Sequence, residues 1–200
     1  MQSPKIEQFI QLLSKLPGLG PRQAARLSYH LLDEKKEYRE MLAQTIISLT
    51  QVKRCAECFQ AHEQKTALCL LCASPNRDRS RIMVVEKDMD FSNIERAGVY
   101  DGLYYILGGV ISPLRPKSQE KLRLRELYNR LSKANGVKEV ILATSATPEG
   151  DHTARYIEQI SEPFVKKNLK ITRLGRGLST GSELEYSDAE TFKSAYLNRK

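Results

Sequence analysis

The sequence predicts an α/β protein with an N-terminal helical region, a four-cysteine knuckle, a parallel-sheet domain and a C-terminal extension. Three observations support this fold class. Apolar residues recur at helical spacing up to about residue 54, and all four cysteines lie within residues 55–72. Beyond residue 80, continuous apolar runs alternate with helical patterns, which is typical of a parallel sheet covered by helices on both faces.

The N-terminal region, residues 1–54, is predicted to form three helices. Pro4 and Pro21 each suit the first position of a helix, and Ser3 is placed to cap the first one. This first helix should end at the following Pro-Gly pair, and Leu27 of the second helix should pack against it. The apolar face predicted for the third helix comprises Met41, Leu42, Thr45, Ile46 and Leu49.

The α/β region is predicted to span residues 80–175, and residues 176–200 follow it as a separate extension. Four apolar runs are interpreted as strands, at residues 82–85, 103–107, 140–143 and 169–172. Three amphipathic stretches between them are interpreted as helices, at residues 90–97, 118–134 and 152–160. This alternation of strand and helix is the basis of the predicted parallel sheet.

The composition fits a globular chain that does not enter a membrane. The 200 residues are 40% hydrophobic and carry a formal net charge of +8. The longest apolar stretch, residues 103–111, contains Gly108 and Gly109 and is much shorter than the roughly 20 residues of a membrane helix. No signal-peptide pattern precedes it, so we expect a cytoplasmic protein. The basic charge alone favours solubility first and does not decide for nucleic acid.

The four cysteines form two Cys-x-x-Cys pairs, Cys55 with Cys58 and Cys69 with Cys72. Each pair brings two thiolates from one turn to a single ion, and zinc favours such a closed set of four sulfurs. His62 lies between the pairs as an alternative ligand, and a redox dithiol is an alternative role. We predict one structural zinc per chain, which must supply much of the folding free energy of so short a segment.

A glycine-rich turn separates the first two predicted helices. Gly18 and Gly20 permit a tight turn with outward-facing amides, and a helix that begins at Pro21 presents its free N–H groups to a phosphate. Arg22 and Arg26 lie one turn apart on that helix and add positive charge. This pattern resembles the helix-hairpin-helix motif of proteins that bind DNA without sequence specificity. A plain turn between helices, or a protein contact, is the alternative.

An acidic cluster follows two of the predicted strands. Glu86 closes the first strand, and Glu149 and Asp151 follow a later one. The pattern resembles the Toprim domain, in which a glutamate and an Asp-x-Asp pair hold magnesium for phosphoryl chemistry. Ser145 and Thr147 occupy the positions of that aspartate pair, and neutral hydroxyls do not replace carboxylates as magnesium ligands. We therefore expect a scaffold, with weak magnesium binding through the three acids as the alternative.

The order of hairpin, four cysteines and Toprim-like region resembles the RecR family of bacterial recombination mediator proteins over nearly the whole chain. Further motifs that carry the resemblance lie at residues 107–113, 171–178 and 181–186. The sequence departs from the family pattern at Tyr105, at Ser145 with Ala146, and at Asp151 with His152. These departures concern the Toprim-like site and leave the resemblance itself intact.

The resemblance implies a non-enzymatic role in recombinational DNA repair. A RecR-like protein acts with RecO and RecF to load recombinase onto single-stranded DNA, binds single- and double-stranded DNA without sequence specificity, and works at the nucleoid. It forms dimers that assemble into a ring-shaped homotetramer through the N-terminal hairpins and the C-terminal segment, residues 176–200. Two alternatives stay open: a magnesium-dependent Toprim nuclease or primase-like enzyme, and a protein adaptor that never touches DNA.

Overall fold

The computed structural model describes residues 3–114, 116–133 and 136–199, and the chain divides into two compact units, Met1–Val52 and Lys53–Lys200. Met1 and Lys200, the end residues of two predicted regions, lie outside the described residues, as does Ala134 at the end of a predicted helix. Each unit is described by itself below.

Three helices make up the N-terminal unit: α1 (Pro4–Leu13), α2 (Pro21–Asp33) and α3 (Lys36–Ser48). A proline begins each of the first two, as predicted. The Ser3 backbone is extended ahead of α1, but its side chain makes no capping hydrogen bond. The helix ends earlier than predicted, because Lys15 and Leu16 bond back to the carbonyls three residues before them and so tighten the last turn.

Small residues form the buried face of α2, which corrects one expectation. Ala24 and Ser28 are buried, and the Ser28 hydroxyl donates to the Ala24 carbonyl at 2.8 Å. Leu27, expected to pack against α1, is 39% exposed. Successive helical residues are rotated by about 100°, so a helix that turns Ser28 inward turns Leu27 toward its flank.

The second unit is built on a four-stranded parallel sheet. Its strands are β3 (Asp78–Val85), β4 (Gly102–Ile106), β5 (Glu139–Ala143) and β6 (Lys170–Arg173). They lie in the order β4-β3-β5-β6, and every neighbouring pair is parallel. The predicted α/β fold class, with its parallel sheet, is confirmed.

Helices cover both faces of the sheet. They are α5 (Asp88–Ala97), α6 (Leu124–Lys133) and α7 (Pro148–Val165). Side chains alternate along β3, so that Ile82 and Val84 enter one core with α6 and α7 residues, while Met83 and Val85 enter a second core with Phe91 of α5. Both faces of the sheet are therefore apolar, as the continuous runs in the sequence predict.

Two helix boundaries differ from the prediction. The stretch expected to form one helix over residues 118–134 is divided into a 3₁₀ segment, Pro116–Lys121, and α6. The helix expected to begin at residue 152 begins at Pro148, because the Thr147 side chain accepts a hydrogen bond from the Gly150 N–H at 3.1 Å and caps it. Thr147, one of the two hydroxyl residues at the Toprim aspartate positions, thus acts as an N-cap.

The knuckle and the C-terminal segment complete the second unit. Two short antiparallel strands, β1 (Lys53–Arg54) and β2 (Ala61–His62), are followed by the single-turn helix α4 (Leu70–Ala73). The last helix, α8 (Ala189–Leu197), is capped by Asp188, whose carboxylate accepts from two backbone amides. No helix among the described residues combines the length and apolar character needed to cross a membrane.

Candidate metal centre and nucleic-acid interface

The four cysteines converge on one point in the second unit. Cys55 and Cys58 lie in the turn between β1 and β2, whereas Cys69 and Cys72 flank the start of α4. All four are buried, and their sulfurs lie within 4.8 Å of one another. Among the described residues they form the only group of three or more histidine, cysteine or acidic side chains this close together, and His62 is not part of it.

Backbone amides fix the cysteine sulfurs in place. The Gln60 N–H points at the Cys58 sulfur at 3.4 Å, and the Cys69 N–H points at the Cys55 sulfur at the same distance. The Cys72 N–H approaches the Cys69 sulfur at 3.5 Å. Each of these amides favours a sulfur that carries negative charge, which is the form that binds a metal.

When no cation is bound, ionisation of one cysteine thiol disfavours ionisation of its neighbours. Hydrogen bonding with Cys69 raises the pKa of Cys58 to about 12, and hydrogen bonding with Cys58 and Cys69, followed by burial, raises the pKa of Cys72. Hydrogen bonds from Cys58 and Cys72 lower the pKa of Cys69. One thiolate is thus stabilised at the expense of its neighbours, and a bound cation would allow the others to ionise. The donor set fits a metal ion.

Of the two glycines in the turn between α1 and α2, only Gly18 has a backbone conformation that favours glycine. Gly18 has a φ of +80°, in the left-handed region that other residues rarely adopt. Gly20 has an extended backbone with φ of −78° and precedes α2 as its N-cap residue, where its carbonyl accepts from Ala24 N–H at 2.9 Å. The first amides of α2 follow directly, and such amides have no partner within the helix.

Arg22 and Arg26 extend from the exposed side of α2 and lie four residues apart in the same helix. Both residues are exposed, and an open depression of about 740 Å³ lies beside Arg26. Its lining residues include Leu19 of the turn and Leu27. The predicted glycines thus lie in the turn before α2, and the two arginines are exposed in the first two turns of that helix.

Glu86 is held by the loop that follows β5. Its side chain is 3% exposed, and its two carboxylate oxygens accept from the Ser145 N–H at 2.7 Å and the Ser145 hydroxyl at 2.8 Å. Ser145 is one of the two hydroxyl residues that the resemblance to the Toprim domain places at its aspartate positions. Glu86 and Ser145 therefore join the ends of β3 and β5 by hydrogen bonds that use both carboxylate oxygens.

Asp151 contacts two arginines at the end of β6 and just beyond it, Arg173 and Arg176. Arg176 forms an ion pair with its carboxylate, and Arg173 approaches it at 3.4 Å. Arg176 lowers the pKa of Asp151 through their hydrogen bond. Arg173 also forms a two-pronged pair with Glu158, at 2.8 and 2.9 Å. Sequence reasoning missed both arginines, although they follow a strand predicted to be parallel, whose end meets the start of α7 at the same edge.

The three predicted acids do not form a magnesium site. Glu86 is bonded to Ser145 and Asp151 to arginines, while Glu149 lies in the first turn of α7. Their oxygens do not meet as a group within the described residues. Magnesium requires several carboxylate or water oxygens in octahedral geometry, so the residues present do not fit this ion. Weak magnesium binding through Glu86, Glu149 and Asp151 stays an alternative from the sequence, and this arrangement of the acids does not favour it.

Comparison with known proteins identifies two matching families. A model described as "Toprim domain" matches residues 80–175, and one described as "RecR, helix-hairpin-helix" matches residues 6–49. The chain is 41% identical to the "Recombination protein RecR" of Lactobacillus delbrueckii subsp. bulgaricus over 201 residues, which is 100% of this chain and 98% of that protein. It is 38% identical to the protein of the same name from Carboxydothermus hydrogenoformans, over 98% of this chain and 96% of that one.

Proposed function

Because the chain belongs to the RecR family of recombination proteins, we propose that it is a DNA-binding mediator of recombinational DNA repair. The observation that carries this proposal is the hairpin end of the N-terminal unit. There, the turn of Gly18 and Gly20 leads into the free amides of α2, and the exposed Arg22 and Arg26 lie on the same helix.

DNA contact at this end is proposed to be electrostatic. Amides at a helix N-terminus and arginine guanidinium groups both bind phosphate oxygens, which every DNA sequence presents. Reading of base identity needs a helix or ribbon that enters a groove, and α2 offers its end instead. The protein therefore binds single- and double-stranded DNA without sequence preference, and the affinity falls steeply with salt because each neutralised phosphate releases counterions.

The proposed metal is one structural zinc, held by Cys55, Cys58, Cys69 and Cys72. Four buried sulfur donors leave no ligand position for water or substrate, which is the arrangement of a structural zinc site. Zinc bound there would supply a crosslink between the β1–β2 turn and α4. The chain has no other covalent or metal crosslink in this segment, since all four cysteines are free thiols, so the ion contributes directly to folding.

The Toprim-like domain is proposed to be a scaffold without enzymatic activity. Two of its acidic side chains have structural partners: Glu86 accepts hydrogen bonds from Ser145, and Asp151 forms ion pairs with Arg173 and Arg176. Thr147 caps α7. These contacts use the side chains that phosphoryl chemistry would need for its metal ions.

The family membership extends the proposal to partners. We propose that the protein acts with RecO and RecF to load recombinase onto single-stranded DNA, at the nucleoid in the cytoplasm. We further propose self-association through dimers to a ring tetramer. Exposed apolar side chains on α8 support the C-terminal part of this assembly: Phe192, Tyr196 and Leu197 are each more than half exposed.

The experiment is a double replacement, Arg22→Ala with Arg26→Ala, compared with Lys35→Ala with Lys36→Ala. The control removes the same charge at the start of α3, beyond the other end of α2, where both lysines are exposed. We expect only the arginine variant to bind DNA more weakly. The slope of log affinity against log salt concentration should become shallower, by an amount that corresponds to up to about two phosphate contacts. Sedimentation separates the causes: an intact assembly with weakened binding supports direct contact, whereas dissociated subunits would make the hairpin chiefly an interface.

A further inference from the structure

One of the two outer strands of the sheet, β4, is not exposed at its edge. β4 has a sheet neighbour on one side only, yet all five of its residues are buried. Backbone groups of alternate residues point to opposite sides of a strand, and here those of Gly102, Tyr104 and Ile106 point away from β3. An unpaired row of this kind is ordinarily open to another strand, so other groups in the unit must cover it.

Three arginines cover the carbonyls of this edge. Each outward carbonyl accepts from one guanidinium: Gly102 from Arg77 at 3.5 Å, Tyr104 from Arg130 at 2.8 Å and Ile106 from Arg123 at 2.9 Å. Hydrogen bonds from charged donors are stronger than those between neutral groups. For these carbonyls, side chains therefore supply the donors that a fifth strand would provide.

The cysteine knuckle covers one of the outward N–H groups, that of Ile106. The Ile106 N–H donates to the carbonyl of Cys58 at 2.9 Å. The Arg130 guanidinium donates to the Glu57 carbonyl at 2.9 Å while it donates to Tyr104, and its side chain is only 13% exposed. One arginine thus joins the residue before a metal-binding cysteine to the edge strand.

We propose that metal binding and closure of this sheet edge are a single coupled equilibrium, with Arg130 as the positioning residue between them. The inference rests on the proposed function only in that the cysteines hold a metal. A metal on the Cys58 sulfur fixes the position of the Cys58 carbonyl, and therefore of the partner for Ile106 N–H. Coupling is reciprocal: the factor by which the metal stabilises the closed edge is the factor by which the closed edge stabilises the metal.

The first test removes the metal from the full-length protein with a chelator and follows amide hydrogen exchange. We expect exchange of the Ile106 amide to accelerate about two- to tenfold, the range that loss of one hydrogen bond implies. Exchange at Ile141, in the inner strand β5, should stay nearly constant. Unchanged exchange at Ile106 would overturn the proposal. Equal acceleration at both positions would also overturn it, because the metal would then stabilise the whole unit and not its edge.

The second test measures the reciprocal effect as the rate of metal release. Arg130→Met keeps most of the side-chain volume and removes its donors, while Arg125→Met makes the same change at an exposed position of the same helix. We expect release about tenfold faster in the first variant and unchanged in the second. Equal rates would refute the role of Arg130. If that variant does not fold, the exchange experiment on the unaltered protein decides.

A metal analysis of the purified protein separates this inference from the proposed metal site. Protein prepared without chelator that contains no metal would contradict the metal site itself. Protein that contains metal, and loses it without any change at Ile106, would leave the metal site intact and contradict the coupling alone.

Discussion

Replacing Gly150 with alanine tests the close approach between α7 and the loop after β5. Gly150 is buried in the first turn of α7. A Cβ there would lie inside van der Waals contact of the Ser145 carbonyl oxygen, 3.0 Å from its carbonyl carbon and 3.1 Å from Glu86 Oε1. Ordinary contacts of this kind begin near 3.4 Å, so the helix or the loop must move.

Two effects of opposite sign set the magnitude for Gly150→Ala. Alanine is favoured over glycine within a helix by about 1 kcal/mol, whereas overpacking a buried site typically costs about 1–3 kcal/mol. The obstructing atoms are backbone atoms, and the two hydrogen bonds to Glu86 hold Ser145 in place. We therefore take the upper end of the cost and expect the free energy of unfolding to fall by about 2 kcal/mol.

The assay is urea unfolding followed by near-ultraviolet circular dichroism of the tyrosines, since Tyr104 and Tyr105 are buried in the sheet. Gly175→Ala is the matched control, because nothing lies within 4 Å of its Cβ position and its φ is ordinary. We expect the control to unfold like the unaltered protein. A Gly150→Ala variant as stable as the unaltered protein, or more stable, would refute the close approach.

Two further replacements test the partners of the acids. Asp151→Asn removes the ion pairs of Asp151 with Arg173 and Arg176 and should loosen the segment that follows Arg173. The measurement is hydrogen exchange or proteolysis of that segment at neutral pH, and rates equal to those of the unaltered protein would contradict a stabilising role of these ion pairs. Arg176 lowers the pKa of Asp151 in the folded protein. The ion pair between them therefore stabilises the fold fully above the unfolded pKa of about 3.9, and this stabilisation is lost as the pH falls through the lower folded pKa. The Asp151→Asn variant should not show this loss of stability at acid pH. Glu86→Gln should lower the free energy of unfolding by about 1.5–3 kcal/mol, the range for a charged hydrogen bond, whereas the exposed Glu162→Gln should change it little; similar losses in both would contradict the role of Glu86.

Features specified by neighbouring residues could be predicted from the sequence. The prolines at 4 and 21 begin α1 and α2, and the four segments interpreted as strands correspond to the four strands of the sheet. The cysteine cluster was also predictable, because the spacing within each Cys-x-x-Cys pair is local. The Gly18 turn follows for the same reason, since its positive φ is a property of the residue itself.

Features that depend on distant partners could not be predicted. Arg130 bonds residues that lie 73 and 26 positions away, so no local pattern marks it. The roles of Glu86 and Ser145 depend on the adjacency of β3 and β5, which the apolar runs do not specify. Leu27 was assigned to the wrong face because its apolar character suggested burial, while the small residues Ala24 and Ser28 allow the closer helix contact. The start of α7 was placed too late because the capping role of Thr147 was overlooked.

The position of β3 at the centre of the sheet has a consequence for synthesis of the chain. Its two neighbours, β4 and β5, both come later in the sequence. During synthesis, β3 is therefore complete while both of its edges still lack partners, and the second edge stays open until β5 (Glu139–Ala143) has emerged. The cysteine knuckle, by contrast, is made before β3. A nascent chain that loads its metal early would hold a preformed template onto which the β3–α5–β4 segment folds.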